Sequence, residues 1–135
     1  MKTQISLLLV SLGLVLSCQQ YNSTAQLESE IGTIKVAIMY PNDVDKTFDM
    51  NYYTNKHMPM LSELFGANMK QYKIDSGISG RTSADKAPFL AIGYLYFENL
   101  SDYQKVFRLH SEKILNDIPN YTNAKPIVQI SEIVI

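Results

Sequence analysis

The sequence has few of the side chains that usually hold a metal ion or form a disulfide. Its 135 residues include one cysteine, Cys18, no tryptophan and two histidines, His57 and His110. No HxH or HxxxH pair occurs, and a single thiol cannot form a disulfide within the chain. The sequence therefore requires no cofactor and indicates none in particular.

Excess charge and nucleotide-binding motifs are also missing. The chain carries 12 Lys and Arg residues against 13 Asp and Glu residues, which gives a net charge of -1 at pH 7. A protein that holds a phosphate backbone usually has a basic excess, so a nucleic-acid partner is not expected. No GxGxxG or P-loop motif occurs, and no serine or cysteine stands in a nucleophile elbow. A tightly held nucleotide is not expected either.

One long apolar run is present, from Ile5 to Leu16, and Lys2 precedes it. It is shorter than the roughly 20 residues of a transmembrane helix and is typical of a secretory signal peptide. The sequence Val-Leu-Ser-Cys that follows it, ending at Cys18, resembles the lipobox of bacterial lipoproteins. We therefore predict a signal peptide over residues 1–17 and an exported protein, anchored to a membrane through lipidated Cys18 on the periplasmic or cell-surface side. The alternative is an ordinary signal peptide with an incidental cysteine.

After the leader the chain divides into a tether and a folded domain. Residues 18–31 are polar and follow neither the helical nor the strand period, which is typical of a tether. Residues 32–135 are predicted to form the domain, because their apolar residues switch between the strand period and the helical period. The predicted strands are 32–40, 69–79, 87–97 and 126–135.

Two helices are predicted between these strands. Apolar residues recur at three and four positions over 48–65, and Gly66 is a plausible C-cap. A capping box of Ser101 and Gln104 predicts the start of the second helix, which ends before Pro119. The resulting order is βαββαβ, an α+β ferredoxin-like fold with both helices on one face of an antiparallel four-stranded sheet.

The third predicted strand, APFLAIGYLYF, is apolar on both faces. The helices cover one face, so the other also needs a cover. In a chain this small the simplest cover is a second copy, and we predict a homodimer joined sheet to sheet.

Four short segments resemble the EthD family. They are MYP (39–41), FDMNYYTNKHMPM (48–60), YLYFENLSD (94–102) and IPNYTN (118–123), and the second is the most specific. The resemblance implies a dimeric α/β barrel of two ferredoxin-like subunits, with a cleft between the sheet and the helices. Members of the family are often labelled reductases, so the resemblance also implies a possible oxidoreductase.

The most specific segment also contains the candidate catalytic residues. Asp49, Tyr53 and His57 follow one another at intervals of four, which places them along one ridge of a helix. Pro59 lacks an amide hydrogen and crowds the carbonyl of Asn55, so the helix should kink or end near His57. We expect a partly exposed imidazole, near the Tyr53 hydroxyl, that donates or accepts a proton. The alternative is that Pro59 ends one helical segment and His57 only caps it.

Tyrosine and methionine side chains predict a pocket that is apolar with a few hydroxyl groups. The residues predicted to line it are Tyr40, Tyr52, Met60, Tyr94, Tyr96 and Asn120. The first hypothesis is therefore a small dimeric EthD-like protein that binds a small, partly apolar organic ligand, with acid/base or oxidoreductase activity.

Two other functions stay open at this point. One is a non-catalytic ligand-binding or structural dimer at the membrane surface. The other is a heme-binding protein, because heme-degrading monooxygenases of the same superfamily use a histidine on the second helix, where His110 lies. The lack of tryptophan counts against heme, since such enzymes commonly place one beside it.

We expect Cys18→Ser to leave export intact but to release the protein from membranes, because the acyl chains that would hold it are then missing. Fractionation of cells into membrane and soluble parts measures this. Retention of the variant in the membrane fraction would contradict the lipid anchor.

Overall fold

The computed structural model describes residues 30–135 of the chain. The predicted signal peptide, Cys18 and the tether as far as residue 29 lie outside the described residues. A compact unit extends from Thr33 to Glu132 and contains the strands and helices named below. No helix within the described residues combines the length and the hydropathy that a membrane span needs.

Four strands form one antiparallel sheet. They are β1 (Ile34–Pro41), β2 (Met69–Ser76), β3 (Phe89–Phe97) and β4 (Ile127–Glu132), in the spatial order β2-β3-β1-β4. β1 is central and pairs antiparallel with both β3 and β4. The two edges of the sheet are therefore β2 and β4.

The helical segments connect β1 to β2 and β3 to β4. The first connection contains α1 (Met50–Tyr52), a π-helical turn (Tyr53–His57) and α2 (Met58–Phe65), and the second contains α3 (Leu100–Asp117). Both pack on the same face of the sheet, so the predicted ferredoxin-like α+β fold is confirmed. Gly66 ends α2 at φ 53° and ψ -134°, a conformation that glycine adopts most readily, and the predicted C-cap is also confirmed.

The core lies between this sheet face and the helices. Alternate residues of β1 and β3 point into it, because side chains of a strand alternate between its two faces. Its almost fully buried members on the strands, α2 and α3 are Val36, Tyr40, Met58, Leu61, Phe65, Ala91, Leu95, Phe97, Val106 and Ile114. Burying each large side chain contributes roughly 1.5–3 kcal/mol, so this layer is the main source of stability.

The predicted capping box at Ser101 and Gln104 is wrong. The N-cap of α3 is Asn99, whose backbone is extended at φ -133° and ψ 146°, and the helix begins at Leu100. Ser101 therefore already lies within the first turn. No side chain caps this helix end.

All four strands are shorter than predicted, and β2 and β4 are shortened most, because each ends where its pairing stops. The β2–β3 ladder stops at the pair Ser76 and Ala91, so β2 does not reach residue 79. β4 ends at Glu132, opposite Ile34, which is the first residue of β1. The proline predicted to open β4 lies one residue before it.

One glycine in β3 allows a close approach between the sheet and the helical layer. A Cβ atom at Gly93 would overlap the hydroxyl of Tyr53 and lie 3.3 Å from its Cζ atom. Tyr53 is fully buried and its ring packs against the rings of Tyr40 and Phe48. The ring therefore has little room to move aside.

We expect Gly93→Ala to lower the free energy of unfolding by about 1–3 kcal/mol, because overpacking displaces the Tyr53 ring. Urea denaturation at neutral pH measures the loss. Tyr53→Phe in the same chain removes the overlapping oxygen and should restore part of the stability. The explanation fails if the double variant is no more stable than Gly93→Ala.

Candidate active site

The π-helical turn determines where the two central residues of the site lie. Within it the N–H of Met58 bonds to the carbonyl of Tyr53, five residues back, instead of the usual four. Pro59 follows in the first turn of α2, where its missing N–H is tolerated. The helix therefore widens next to His57 and turns both Tyr53 and His57 into the protein interior. Single π turns of this kind occur frequently at functional sites.

His57 is enclosed by hydrogen bonds and aromatic rings. Its Nδ1 atom lies 2.7 Å from Oδ2 of Asp117, and its Nε2 atom lies 3.3 Å from the Tyr121 hydroxyl. Its ring stacks on that of Tyr53, with centroids 5.5 Å apart and an interplanar angle of 15°. The side chain is only 3% exposed, so the prediction of a partly exposed imidazole is wrong. The tyrosine hydroxyl bonded to it belongs to Tyr121 and not to Tyr53.

Asp117 lies at the last position of α3 and orients the imidazole. Its Oδ1 atom accepts hydrogen bonds from the Tyr52 hydroxyl at 2.8 Å and from the Asn120 amide at 2.9 Å, which leaves Oδ2 for His57. Burial alone would raise the pKa of the Asp117 carboxyl. The hydrogen bonds from His57, Asn120 and Tyr52 outweigh burial and hold this pKa below its usual value. Asp117 is therefore an anion at neutral pH.

Burial lowers the pKa of His57, and the hydrogen bond to Asp117 opposes that shift only in part. The imidazole is therefore neutral at pH 7. A neutral ring has one N–H, and the ionised carboxylate accepts it, so the proton lies on Nδ1. The Nε2 atom is left as a hydrogen-bond acceptor and a base.

Tyrosine hydroxyls extend this arrangement toward the sheet. The Tyr40 hydroxyl on β1 lies 2.7 Å from the Tyr121 hydroxyl. The Tyr53 hydroxyl is buried beside them and has no hydrogen bond of good geometry, although it interacts with Tyr40. Burial raises the pKa of all three hydroxyls above the value of an exposed tyrosine, so they are protonated at neutral pH.

Two openings meet at this cluster. A cavity of about 80 Å³ lies between sheet and helices, and both Tyr40 and His57 line it together with apolar side chains. A surface groove of about 970 Å³ runs beside Phe48, Asn120 and Tyr121. The residues that line both openings are Leu115, Ile118, Pro126 and Val128.

Some of the residues predicted from sequence lie together here and others do not. Tyr40, Tyr53 and His57 are in contact, while Tyr52 and Asn120 bond to Asp117. Four predicted residues, Asp49, Met60, Tyr94 and Tyr96, lie at the edge of this group or elsewhere. The ridge expected from the spacing of the first helical segment is broken, because the segment is not a continuous α-helix.

Asp49 is not near His57, since it forms the N-cap of α1 and accepts a hydrogen bond from the Tyr52 backbone N–H at 2.9 Å. Tyr94 and Tyr96 alternate with buried β3 residues and lie on the opposite face of the sheet, where Lys35 stands over the Tyr94 ring. Met60 is partly buried against the core.

Asp117 is the site residue that sequence reasoning missed. One signal was available, because an acidic residue in the last turn of a helix is disfavoured by the helix dipole and here no basic residue accompanies it. Such an unfavourable position indicates that another side chain lies close to the carboxylate in the folded protein and stabilises it. That partner, His57, is 60 residues away in the sequence, and only the folded chain identifies it.

The second histidine contributes nothing to this site. His110 is half-buried on α3 and lines neither the cavity nor the groove. In the described part of the chain, residues 30–135, no group of three potential ligands from His, Cys, Asp and Glu is arranged to hold a metal ion.

Comparisons with known proteins agree with this architecture. The model of the EthD domain family matches residues 41–125. An EthD-like protein from Ralstonia eutropha JMP134 is 34% identical, with a TM-score of 0.74 over 78% of this chain and 95% of that one. An EthD family protein from Bacillus halodurans C-125 is 12% identical, with a TM-score of 0.55 over 76% of this chain and 99% of that one, and shows the common fold. No curated protein matches the chain significantly.

The family model covers more than half of the chain and includes Asp117, Tyr121 and the whole π-helical turn. The identity to the Ralstonia protein extends over most of both chains. This chain therefore belongs to the EthD domain family.

Proposed function

We propose that this EthD domain protein binds a small, partly apolar organic molecule where the cavity meets the groove, and that His57 exchanges a proton with it. The observation that carries the proposal is that buried His57, paired with the partly buried Asp117, lines an apolar cavity. A buried neutral imidazole fixed by a carboxylate is a recurring arrangement for acid–base chemistry.

The shapes of the two openings support a small ligand. The groove is within the roughly 300–1,000 Å³ of typical ligand sites, whereas the cavity alone is far below it. An apolar group can enter the cavity while the rest of the molecule stays in the groove. Polar side chains such as Asn120 and Lys125 line the groove and offer hydrogen bonds to that exposed part.

The charge state of His57 before a ligand binds supports a role as a base more than a role as an acid. Because His57 is neutral at pH 7, it can take up a proton, and the resulting imidazolium would be stabilised by Asp117 at 2.7 Å. The proton can then return to the ligand at a different atom. The reductase activity implied by the family resemblance stays a prediction.

A non-catalytic binding protein is the second candidate. The observation that favours it is that both ring nitrogens of His57 already have partners. A ring held in this way can serve packing alone. The first candidate requires turnover, and the second requires only binding.

We also propose a homodimer in which the outer sheet face of each subunit covers that of the other. Ala37, Met39 and Ile92 lie on this face beside Tyr94, and Lys35 packs over the Tyr94 ring. Apolar area hidden there would stabilise the dimer by about 25 cal/mol per Å². An acylated Cys18 would hold such a dimer at a membrane surface.

A screen of small apolar alcohols, ketones and phenols by ligand-observed NMR would identify compounds that bind, and each is then tested for conversion. We expect His57→Gln to keep binding but lower turnover roughly 10²–10⁴-fold, the usual contribution of a general base. Asp117→Asn should also lower turnover, whereas the control Asp102→Asn, at the other end of α3, should not.

The pH dependence follows from the lowered pKa of His57. Turnover needs the neutral ring, so it should be at its plateau at pH 7 and fall only below the usual histidine value of 6.5. Compounds that bind without conversion at any pH would favour the second candidate. Full turnover per folded molecule in His57→Gln would end the first.

For the dimer, we expect Ile92→Glu to give monomers, since a carboxylate would be buried without a partner at the interface. Leu109→Glu, at an exposed site on α3, is the matched control and should stay dimeric. Light scattering coupled to size exclusion measures the mass. A wild-type monomer at micromolar concentration would contradict the proposal.

A further inference from the structure

The hydrogen bonds around His57 can run in one direction only. The ionised Asp117 can only accept, so His57 donates from Nδ1 and its Nε2 must accept from the Tyr121 hydroxyl. That uses the single hydroxyl proton of Tyr121. The 2.7 Å bond between Tyr40 and Tyr121 is then donated by Tyr40. Each donor in the chain therefore points from the sheet toward Asp117.

The far end of this chain is the oxygen of Tyr40. Its proton is given to Tyr121, and the neighbouring Tyr53 hydroxyl interacts with it in poor hydrogen-bond geometry. A phenolic oxygen has two lone pairs, so one of them stays available for a ligand, and Tyr40 lines the cavity. The Nε2 atom of His57, in contrast, is already covered by the Tyr121 hydroxyl.

From this directed chain we propose that Tyr40 and Tyr121 relay a proton from a weakly acidic, largely apolar ligand to His57. The inference rests on the proposed function and identifies the ligand class as phenols and other apolar weak acids. Tyr40 is the residue that contacts the ligand, and Tyr121 acts through its neighbours.

The relay moves protons only. The ligand X–H bond breaks and an O–H bond forms at Tyr40, while the original Tyr40 proton passes to Tyr121. The Tyr121 proton passes to Nε2 of His57. The products are the ligand anion and an imidazolium beside Asp117, and both tyrosines are neutral again. Because their burial keeps the tyrosines protonated, they serve as neutral links at pH 7.

A chromogenic phenol tests the relay in the full-length protein. 4-Nitrophenol changes its absorption spectrum when it ionises, and equilibrium dialysis measures its binding separately. Near the pKa of the free probe, temperature-jump relaxation of this absorption measures how fast the bound probe exchanges its proton with the protein. Tyr121→Phe should leave the affinity nearly unchanged while it lowers this exchange rate about tenfold or more.

Three further variants complete the comparison. Tyr40→Phe interrupts the relay at its other link and should give the same loss if Tyr121→Phe does not fold. His57→Gln removes the final acceptor and should lower the exchange rate as much. Tyr94→Phe removes a hydroxyl from the opposite face of the sheet and should behave like the wild type.

The outcomes separate this inference from the proposed function. If Tyr121→Phe and Tyr40→Phe exchange the probe proton as fast as the wild type while His57→Gln does not, the ligand reaches His57 directly and the relay is overturned. If His57→Gln exchanges the probe proton as fast as the wild type, the role proposed for His57 fails as well. If the wild type does not bind the probe, the assignment of the ligand class is wrong.

Discussion

The hydrogen bond between His57 and Asp117 joins the two helical segments of the fold at the point where both change their winding. His57 ends a π-helical turn, and Asp117 ends α3 just before a short 3-10 turn. A side-chain hydrogen bond between these two positions holds the two helical segments together. At 2.7 Å and almost shielded from water, this bond also fixes the tautomer of the imidazole. The candidate chemistry depends on it.

Aromatic rings between this bond and the sheet hold the imidazole in place. Tyr53 supports the imidazole by stacking, and its hydroxyl reaches the sheet because Gly93 has no side chain. A rigid support of this kind holds a catalytic ring in one orientation without further hydrogen bonds. The same layer excludes water, which keeps the imidazole neutral and the tyrosines protonated. The buried aromatic rings therefore determine both the orientation of the imidazole and the protonation states at the site.

Membership of the EthD domain family accounts for the fold but does not identify the residues that would react. The side-chain geometry of this chain identifies candidates for them. Here the carboxylate, the imidazole and two hydroxyls form one directed chain that ends at an apolar cavity. An arrangement with one base, one anion and neutral links suits proton transfer to and from a molecule that brings little charge of its own.

The sequence by itself determined the order of strands and helices, because the spacing of apolar residues within each segment can be read without knowing the fold. It also singled out His57 and Tyr53, since Pro59 removes a backbone hydrogen bond that the helix would otherwise make. The identity of the partner carboxylate came only from the tertiary structure. Asp49 shares a ridge with His57 in a regular helix but lies about 12 Å from it along the axis, too far to bond, and long-range packing brings Asp117 there instead. Tyr94 and Tyr96 were assigned to the cleft for a similar reason, because the alternation of a strand separates two faces but does not say which of them the helices cover.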